Sequence, residues 1–122
     1  MVTVKILGSG CANCKKLEAV AREAATRANL PADVVLYTVS MDLPWAMARW
    51  SAAENVGHQG LSSHRDDTFG RDYGVLLKEW RLLQRAVIVI GRDDTVAYAE
   101  YVADQMLEPD YDAALAAVRA IV

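Results

Sequence analysis

The two cysteines, Cys11 and Cys14, lie three positions apart and are the only cysteines among the 122 residues of the chain. A disulfide across so short a loop removes little conformational entropy from the unfolded chain, so it would stabilise the fold only weakly. Two thiols at this spacing are instead typical of thiol–disulfide chemistry or of metal binding. The pair is therefore the first candidate for a chemical site.

The position of the pair favours redox chemistry. It follows an apolar run at residues 3–7 and a glycine-rich turn, and it opens a stretch of helical apolar spacing that ends near Pro31. The first amides of a helix lack intrahelical partners and carry partial positive charge, which stabilises a thiolate. Cys11 would then be the nucleophile. Cys14, almost one turn further along, would attack a mixed disulfide on Cys11.

Metal binding is the main alternative use of the same pair. The string CANC after a glycine resembles the Cu(I) site of heavy-metal-associated domains, but the sequence after residue 30 departs from that family. Zinc would need further ligands. The candidates, His58 and His64, are expected to be surface or loop histidines. A scaffold in which Cys11 and Cys14 do no chemistry is a further alternative, and no cofactor is expected.

Composition excludes several classes of partner. With 13 Lys and Arg against 16 Asp and Glu, the net charge is −3, and the pI is near 5.3. An acidic chain lacks the electrostatic footprint for nucleic acid or for acidic membranes. No apolar run approaches the roughly 20 residues that span a bilayer, and the first residues do not show the charged n-region and apolar h-region pattern. We therefore expect a cytoplasmic domain with one core.

Apolar periodicity predicts the element order βα-βα-ββ-α. The predicted strands are residues 3–7, 34–39, 86–90 and 95–102; the helices follow Cys11, Pro44 and Pro109, with a short strand near Leu61 and a short helix at 67–72. The runs at 34–39 and 86–90 are apolar throughout, as in strands buried on both faces. This is the order of the thioredoxin fold, an α/β fold with helices on both faces of a mixed sheet. One domain, residues 1–122, is predicted.

Large apolar side chains near the second predicted helix are assigned to the core. Met41, Trp45, Met47 and Trp50 follow helical spacing and favour burial. An exposed Trp45 would instead indicate a contact between subunits, because aromatic residues are enriched at interfaces.

Two family resemblances meet within the chain. Residues 1–30, with GSGCANCKKLE, resemble small thioredoxin-like redox-active disulfide proteins. Residues 34–122 resemble thiol peroxidases, which are atypical two-cysteine peroxiredoxins. The matching blocks are VVLYTVSMDLP (34–44), ARW (48–50), the L-S-x-x-R segment (61–65), FGRDYGV (69–75), RAVIVI (85–90) and EPDYDAAL (108–115). Both families have thioredoxin folds, and a chimera joined near residues 30–34 would account for both resemblances.

The peroxidase resemblance also implies residue roles. Arg85 matches the arginine that stabilises the peroxidatic thiolate in peroxiredoxins, and a strand at 86–90 beside the first strand would bring Arg85 near Cys11. The alternative for Arg85 is a surface ion pair at a strand end. The family's threonine three residues before the peroxidatic cysteine is replaced by Gly8, and its resolving cysteine by Ser51. The family's usual two-cysteine cycle therefore cannot run.

These observations leave several functions open. The leading hypothesis is a thiol–disulfide oxidoreductase with Cys11, Cys14 and Arg85 at its site. Peroxidase activity, with Cys11 attacking peroxide and Cys14 resolving the product, is the second hypothesis. The expected partners are protein or small-molecule thiols and disulfides, with peroxide as a further substrate. The resemblance to thiol peroxidases also suggests a homodimer.

Overall fold

The computed structural model describes residues 2–7, 34–55 and 57–121 of the chain, the first of these segments by its backbone. The predicted Cys11–Cys14 turn and the helix after it lie outside the described residues. Seven strands and three helices follow one another in the described segments. They are β1 Val2–Leu7, β2 Val34–Ser40, α1 Pro44–Ala53, β3 Gln59–Ser62, α2 Thr68–Asp72, β4 Leu76–Leu77, β5 Leu82–Leu83, β6 Ala86–Ile90, β7 Val96–Tyr101 and α3 Tyr111–Ile121.

Five of the strands form one mixed sheet in the order β3-β2-β1-β6-β7. β1 pairs in parallel with β2 and antiparallel with β6, so it is the central strand. The parallel pair needs a crossover connection, for which the chain between Leu7 and Val34 has ample length. The mixed sheet and its element order confirm the predicted thioredoxin-like fold.

Strand β6 is buried on both faces, which explains why its sequence AVIVI is apolar throughout. Ala86 and Ile88 belong to a cluster with Val75 and Leu83 on one side of the sheet. Val87 packs with Ala114 of α3 on the other side. In strand β2, by contrast, only the last three residues are fully buried. The prediction of burial along both faces thus holds for β6 and only for the end of β2.

Helix α3 covers the second face of the sheet through a stripe at helical spacing. Ala114 and Val118 are its buried residues, and Tyr111 and Ile121 complete the stripe. Leu115 also follows helical spacing but is only half-buried. The helix begins at Tyr111 rather than Pro109, because the Asp110 carboxylate accepts a hydrogen bond from the Ala113 amide at 3.0 Å and caps the first turn.

A small hairpin between α2 and β6 was missed from the sequence. Strands β4 and β5 have two residues each and pair antiparallel, with Leu76 opposite Leu83. Their connection turns through Arg81, whose φ is +55°. Arginine gives no sequence signal for a left-handed backbone, so turn chemistry could not identify the hairpin.

The prediction for the large apolar side chains near α1 is partly wrong. Met41 and Met47 are buried as expected, but Trp45 is 78% exposed. Trp45 lies at the first turn of a ten-residue helix of weak amphipathic character, so helical spacing indicates its buried side only poorly. Helical spacing alone therefore assigned Trp45 to the wrong side of α1.

Candidate active site

The sheet positions the candidate site at the carboxyl end of β1. The last residue of β1, Leu7, pairs with Ala86, the first residue of β6. Arg85 immediately precedes that pair, and Cys11 follows Leu7 by four residues along the chain. The predicted neighbourhood of β1 and β6 is therefore confirmed. The contact between Arg85 and Cys11 stays a prediction, because Cys11 and Cys14 lie outside the described residues.

Arg85 is a buried residue, with 9% of its surface exposed. The guanidinium Nη1 donates a hydrogen bond to the carbonyl oxygen of Leu107 at 2.6 Å. The backbone amide of Arg85 donates to the side-chain oxygen Oε1 of Gln105 at 2.9 Å. Arg85 is therefore not a surface side chain: it is held at both its main chain and its side chain by the connection between β7 and α3.

This anchoring matters because an arginine cannot shed its charge. The guanidinium stays protonated at any physiological pH and presents donors in a fixed plane. Burying such a charge costs free energy unless hydrogen bonds compensate for the lost water. A buried, oriented cation at the end of a strand therefore suits the stabilisation of an anion such as a thiolate.

A second polar cluster occupies the carboxyl ends of β2 and β3. The hydroxyl of Ser40, which is 2% exposed, donates to Oδ2 of Asp42 at 2.5 Å. The hydroxyl of Ser62 donates to the carbonyl oxygen of Asp42, and the Ser63 amide donates to the carbonyl oxygen of Ser40 at 2.8 Å. These bonds fix the turn from β2 into α1. The sequence assigned no role to Asp42.

The two histidines are loop residues, as predicted. His64 is exposed, and its Nδ1 lies 3.2 Å from the carbonyl oxygen of Met41. His58 is half-buried and shares a hydrogen bond through Nε2 with the hydroxyl of Thr38. Among residues 34–55 and 57–121, no group of three His, Cys, Asp or Glu side chains could hold a metal ion. The Cys11–Cys14 metal alternative stays a prediction.

Ser51, at the position of the family's resolving cysteine, lies in the last turn of α1 and is half-buried. A hydroxyl cannot form a disulfide, so α1 supplies no resolving group.

In the described part of the chain, no helix is both long and apolar enough to cross a membrane.

Gln105 and the Leu107 carbonyl are site features that the sequence did not reveal. Both lie about twenty positions from Arg85 in the connection between β7 and α3, outside the blocks that resemble thiol peroxidases. Only the pairing of β6 with β7, which includes Ala86 opposite Tyr101, brings this connection to Arg85. No local pattern could have identified them.

Comparisons with known proteins agree with both predicted resemblances. A family model described as a thioredoxin domain matches residues 2–45. The thiol peroxidase of Streptococcus sanguinis is 52% identical over 90 residues, which are 73% of this chain and 55% of that protein. The thiol peroxidase of Bacillus subtilis is 45% identical over 91 residues, 74% of this chain and 54% of that protein. The chain thus spans about half the length of the curated relatives it matches.

Solved structures extend the likeness to the whole chain. A peroxiredoxin-like protein from Aquifex aeolicus aligns with 100% of this chain and 72% of its own, with a TM-score of 0.80 and 28% identity. Thiol peroxidase from Chromobacterium violaceum aligns with 98% of this chain and 71% of its own, with a TM-score of 0.80 and 20% identity. At that identity the second match concerns the fold alone.

The chain therefore has a thioredoxin-like fold and resembles thiol peroxidases over about three quarters of its length. The comparisons do not support a chimera. They also favour the peroxidase alternative over the leading thiol–disulfide hypothesis, because the long, highly identical matches are to thiol peroxidases.

Proposed function

We propose that this chain is a thiol-dependent peroxidase that uses Cys11 and Cys14. The observation that carries the proposal is the buried, doubly anchored Arg85 at the start of β6, beside the end of the strand that leads to Cys11. The similarity to thiol peroxidases supports it independently. Because the chain spans only part of those relatives, their complete activity is itself part of the proposal.

Chain connectivity limits how far Cys11 can lie from the end of β1, and so bears on its distance from Arg85. Leu7 pairs with Ala86, and Cys11 follows Leu7 by four residues. Four residues span at most about 14 Å when fully extended, a reach that is compatible with the proposed contact between Cys11 and Arg85. A guanidinium within about 4–6 Å of a thiol favours the thiolate and lowers the thiol pKa. Arg85 is therefore the group we expect to activate Cys11.

The proposed reaction balances with one peroxide and two thiols. The Cys11 thiolate attacks one peroxide oxygen, the O–O bond breaks, and the leaving alkoxide or hydroxide takes up a proton. Cys11 is then a sulfenic acid. The thiol of Cys14 attacks its sulfur, which forms the Cys11–Cys14 disulfide and releases water. An external dithiol reduces the disulfide and is itself oxidised.

Cys14 takes the resolving role because α1 cannot supply it. The corresponding position holds Ser51, and the chain has no other cysteine. Regeneration of the two thiols requires a reducing compartment such as the cytoplasm, and a protein or a small molecule can serve as the dithiol. The exposed Trp45 is the contact we expect if the chain forms a homodimer.

Thiol–disulfide exchange without peroxide is the second candidate function. It is favoured by the match of residues 2–45, which include Cys11 and Cys14, to a thioredoxin domain. In that case Cys11 would attack a substrate disulfide and Cys14 would release the product. Reduction of insulin disulfides at a rate above that of free dithiol distinguishes this function from peroxide reduction.

Peroxide-dependent oxidation of dithiothreitol tests the proposal with three variants. Cys11→Ser is expected to abolish the catalysed rate, because serine cannot form a sulfenic acid. Cys14→Ser is expected to accumulate the Cys11 sulfenic acid after one equivalent of peroxide, as trapped by dimedone. Ser51→Ala, the matched control, is expected to keep the wild-type rate. Full peroxide turnover by Cys11→Ser would refute the proposal.

A further inference from the structure

We infer that Gln105 is a positioning residue that holds Arg85 in place for the thiol chemistry. The side-chain amide of Gln105 bridges two backbone groups just before β6. Its Oε1 accepts the hydrogen bond from the Arg85 amide at 2.9 Å, and its Nε2 donates to the carbonyl oxygen of Leu83 at 3.3 Å. This inference rests on the function proposed above, in which Arg85 activates Cys11.

The oxygen and the nitrogen of the Gln105 side-chain amide each meet a backbone group of the complementary hydrogen-bonding type. The Arg85 amide is a donor and meets the oxygen end, whereas the Leu83 carbonyl is an acceptor and meets the nitrogen end. A glutamate would lose the donor, and an aliphatic side chain would lose both bonds. Because Arg85 and Leu83 are both buried, each backbone group needs a partner within the protein.

The same connection holds the far end of Arg85. The turn from Asp104 to Leu107 is closed by a hydrogen bond from the Leu107 amide to the Asp104 carbonyl at 3.0 Å. The Leu107 carbonyl then accepts from Nη1 of Arg85. Gln105 lies within this turn, so it ties the turn to the main chain of Arg85 while Leu107 holds the guanidinium. Loss of Gln105 would remove the tie to the Arg85 main chain and so weaken the placement of the turn whose Leu107 carbonyl holds the guanidinium.

Gln84 provides a matched control from the adjacent position. Its Nε2 donates to the carbonyl oxygen of Val102 at 2.8 Å, which is also a side-chain amide bond between the same two segments. That bond involves neither the amide nor the guanidinium of Arg85. Gln84→Met therefore removes a similar contact. Its loss of stability shows how much of the loss in Gln105→Met comes from removing one such hydrogen bond.

The test measures the pH dependence of Cys11 alkylation by iodoacetamide. It uses the Cys14→Ser background, in which Cys11 is the one remaining thiol. Gln105→Met is expected to raise the midpoint by about one pH unit, which lowers the reactive thiolate at neutral pH about tenfold. Gln84→Met is expected to leave the midpoint unchanged. An equal midpoint in all three proteins, with thermal stability lowered in both Met variants, would show a merely structural role and overturn the inference.

A double-variant cycle tests whether Gln105 acts through Arg85. In an Arg85→Gln background, Gln105→Met is expected to shift the alkylation midpoint no further, since the cation is already absent. Additive shifts would overturn the inference. If Gln105→Met fails to fold, Gln105→Asn replaces it: its shorter amide cannot span both partners, so a smaller shift in the same direction is expected, and no shift would count against the inference.

These measurements separate the inference from the proposed function. The alkylation midpoint reports on the Cys11 thiolate whether or not the protein reduces peroxide. A midpoint shift in Gln105→Met with no peroxide turnover in the wild type would support the positioning role and refute the peroxidase. Peroxide turnover in the wild type with no midpoint shift in Gln105→Met would support the peroxidase and refute the positioning role.

Discussion

Arginines in two regions of the molecule are held in different ways. Arg85 is buried and anchored to the main chain of the connection between β7 and α3. Arg71 and Arg81, on α2 and in the hairpin, have side chains that are 63% and 60% exposed. Both exposed arginines pair with the carboxylate of Asp67, at 2.9 Å and 3.3 Å respectively.

The difference shows what each region can contribute. An exposed ion pair is screened by water and salt, and it contributes about 0–1 kcal/mol to folding. A buried guanidinium costs free energy to desolvate, and its hydrogen bonds must offset that cost, so Arg85 is not equivalent to an exposed pair. We interpret Arg85 as a functional charge and the Asp67 group as solvated surface structure.

The largest expected effect follows from removing the buried cation. Arg85→Gln is expected to lower the rate of peroxide reduction about tenfold or more at neutral pH, because loss of the charge raises the pKa of the Cys11 thiol by at least about one unit. Stopped-flow mixing of the reduced protein with peroxide across a pH series measures both quantities. Arg81→Gln is the matched control at the exposed site, and an equal loss in both variants would erase the distinction between the two regions.

The next effect concerns Gly70, on the packed face of α2. Asp67 lies at the N-cap of the same helix. A Cβ at Gly70 would lie 2.9 Å from Cδ2 of Leu83 and 3.0 Å from Cβ of Leu76. Overpacking of this kind costs about 1–3 kcal/mol, and the gain in helix propensity offsets up to about 1 kcal/mol. Gly70→Ala is therefore expected to lower the free energy of unfolding by about 1 kcal/mol in urea titrations.

Gly91→Ala is the control for Gly70. Its Cβ would meet Oδ1 of Asp93 at 3.0 Å, which is the far end of a flexible, exposed side chain. That carboxylate oxygen accepts hydrogen bonds from the amide and the hydroxyl of Thr95, so moving it costs only these exposed bonds and a smaller loss is expected. A larger loss for Gly91→Ala than for Gly70→Ala would contradict the packing argument.

How much of this could be predicted from the sequence depends on how local each feature is. Strand β6 follows from a run of apolar residues, and the short helix α2 was expected at residues 67–72, so local pattern was enough for both. The pairing of β6 with β1, and so the place of Arg85, came from the family resemblance. Three other features depend on tertiary contacts, which no local pattern encodes. They are the exposure of Trp45, the turn through Arg81 and the hydrogen bond from the Arg85 amide to Gln105.

A smaller effect is expected at the exposed ion pairs. Asp67→Asn removes the charge that pairs with Arg71 and Arg81, and it is expected to lower the free energy of unfolding by less than about 1 kcal/mol. The loss should shrink further in high salt, because salt screens the interaction. Urea titrations at two salt concentrations measure both values. A loss of several kcal/mol, or a loss of peroxide turnover, would contradict the surface assignment of Asp67.

The smallest effect at neutral pH concerns Tyr98 on β7. Burial, then the hydrogen bond to Glu100 and the charges of Glu100 and Asp110, raise the pKa of Tyr98 to about 12. An unfolded tyrosine ionises near pH ~10, so the stabilising contribution is full below that value and is lost as pH rises towards about 12. Tyr98→Phe should flatten the alkaline loss of stability. Identical alkaline unfolding profiles would contradict the raised pKa.

The rate constant of the reduced protein with hydrogen peroxide tests the peroxidase account most directly. It is measured by stopped-flow tryptophan fluorescence under single-turnover conditions. We predict a value at least about 10²-fold above that of a free cysteine thiolate, on the scale by which positioned catalytic groups accelerate reactions. The Cys11→Ser variant should show no reaction, and Arg85→Gln an intermediate rate. A wild-type rate equal to that of free cysteine would contradict the account.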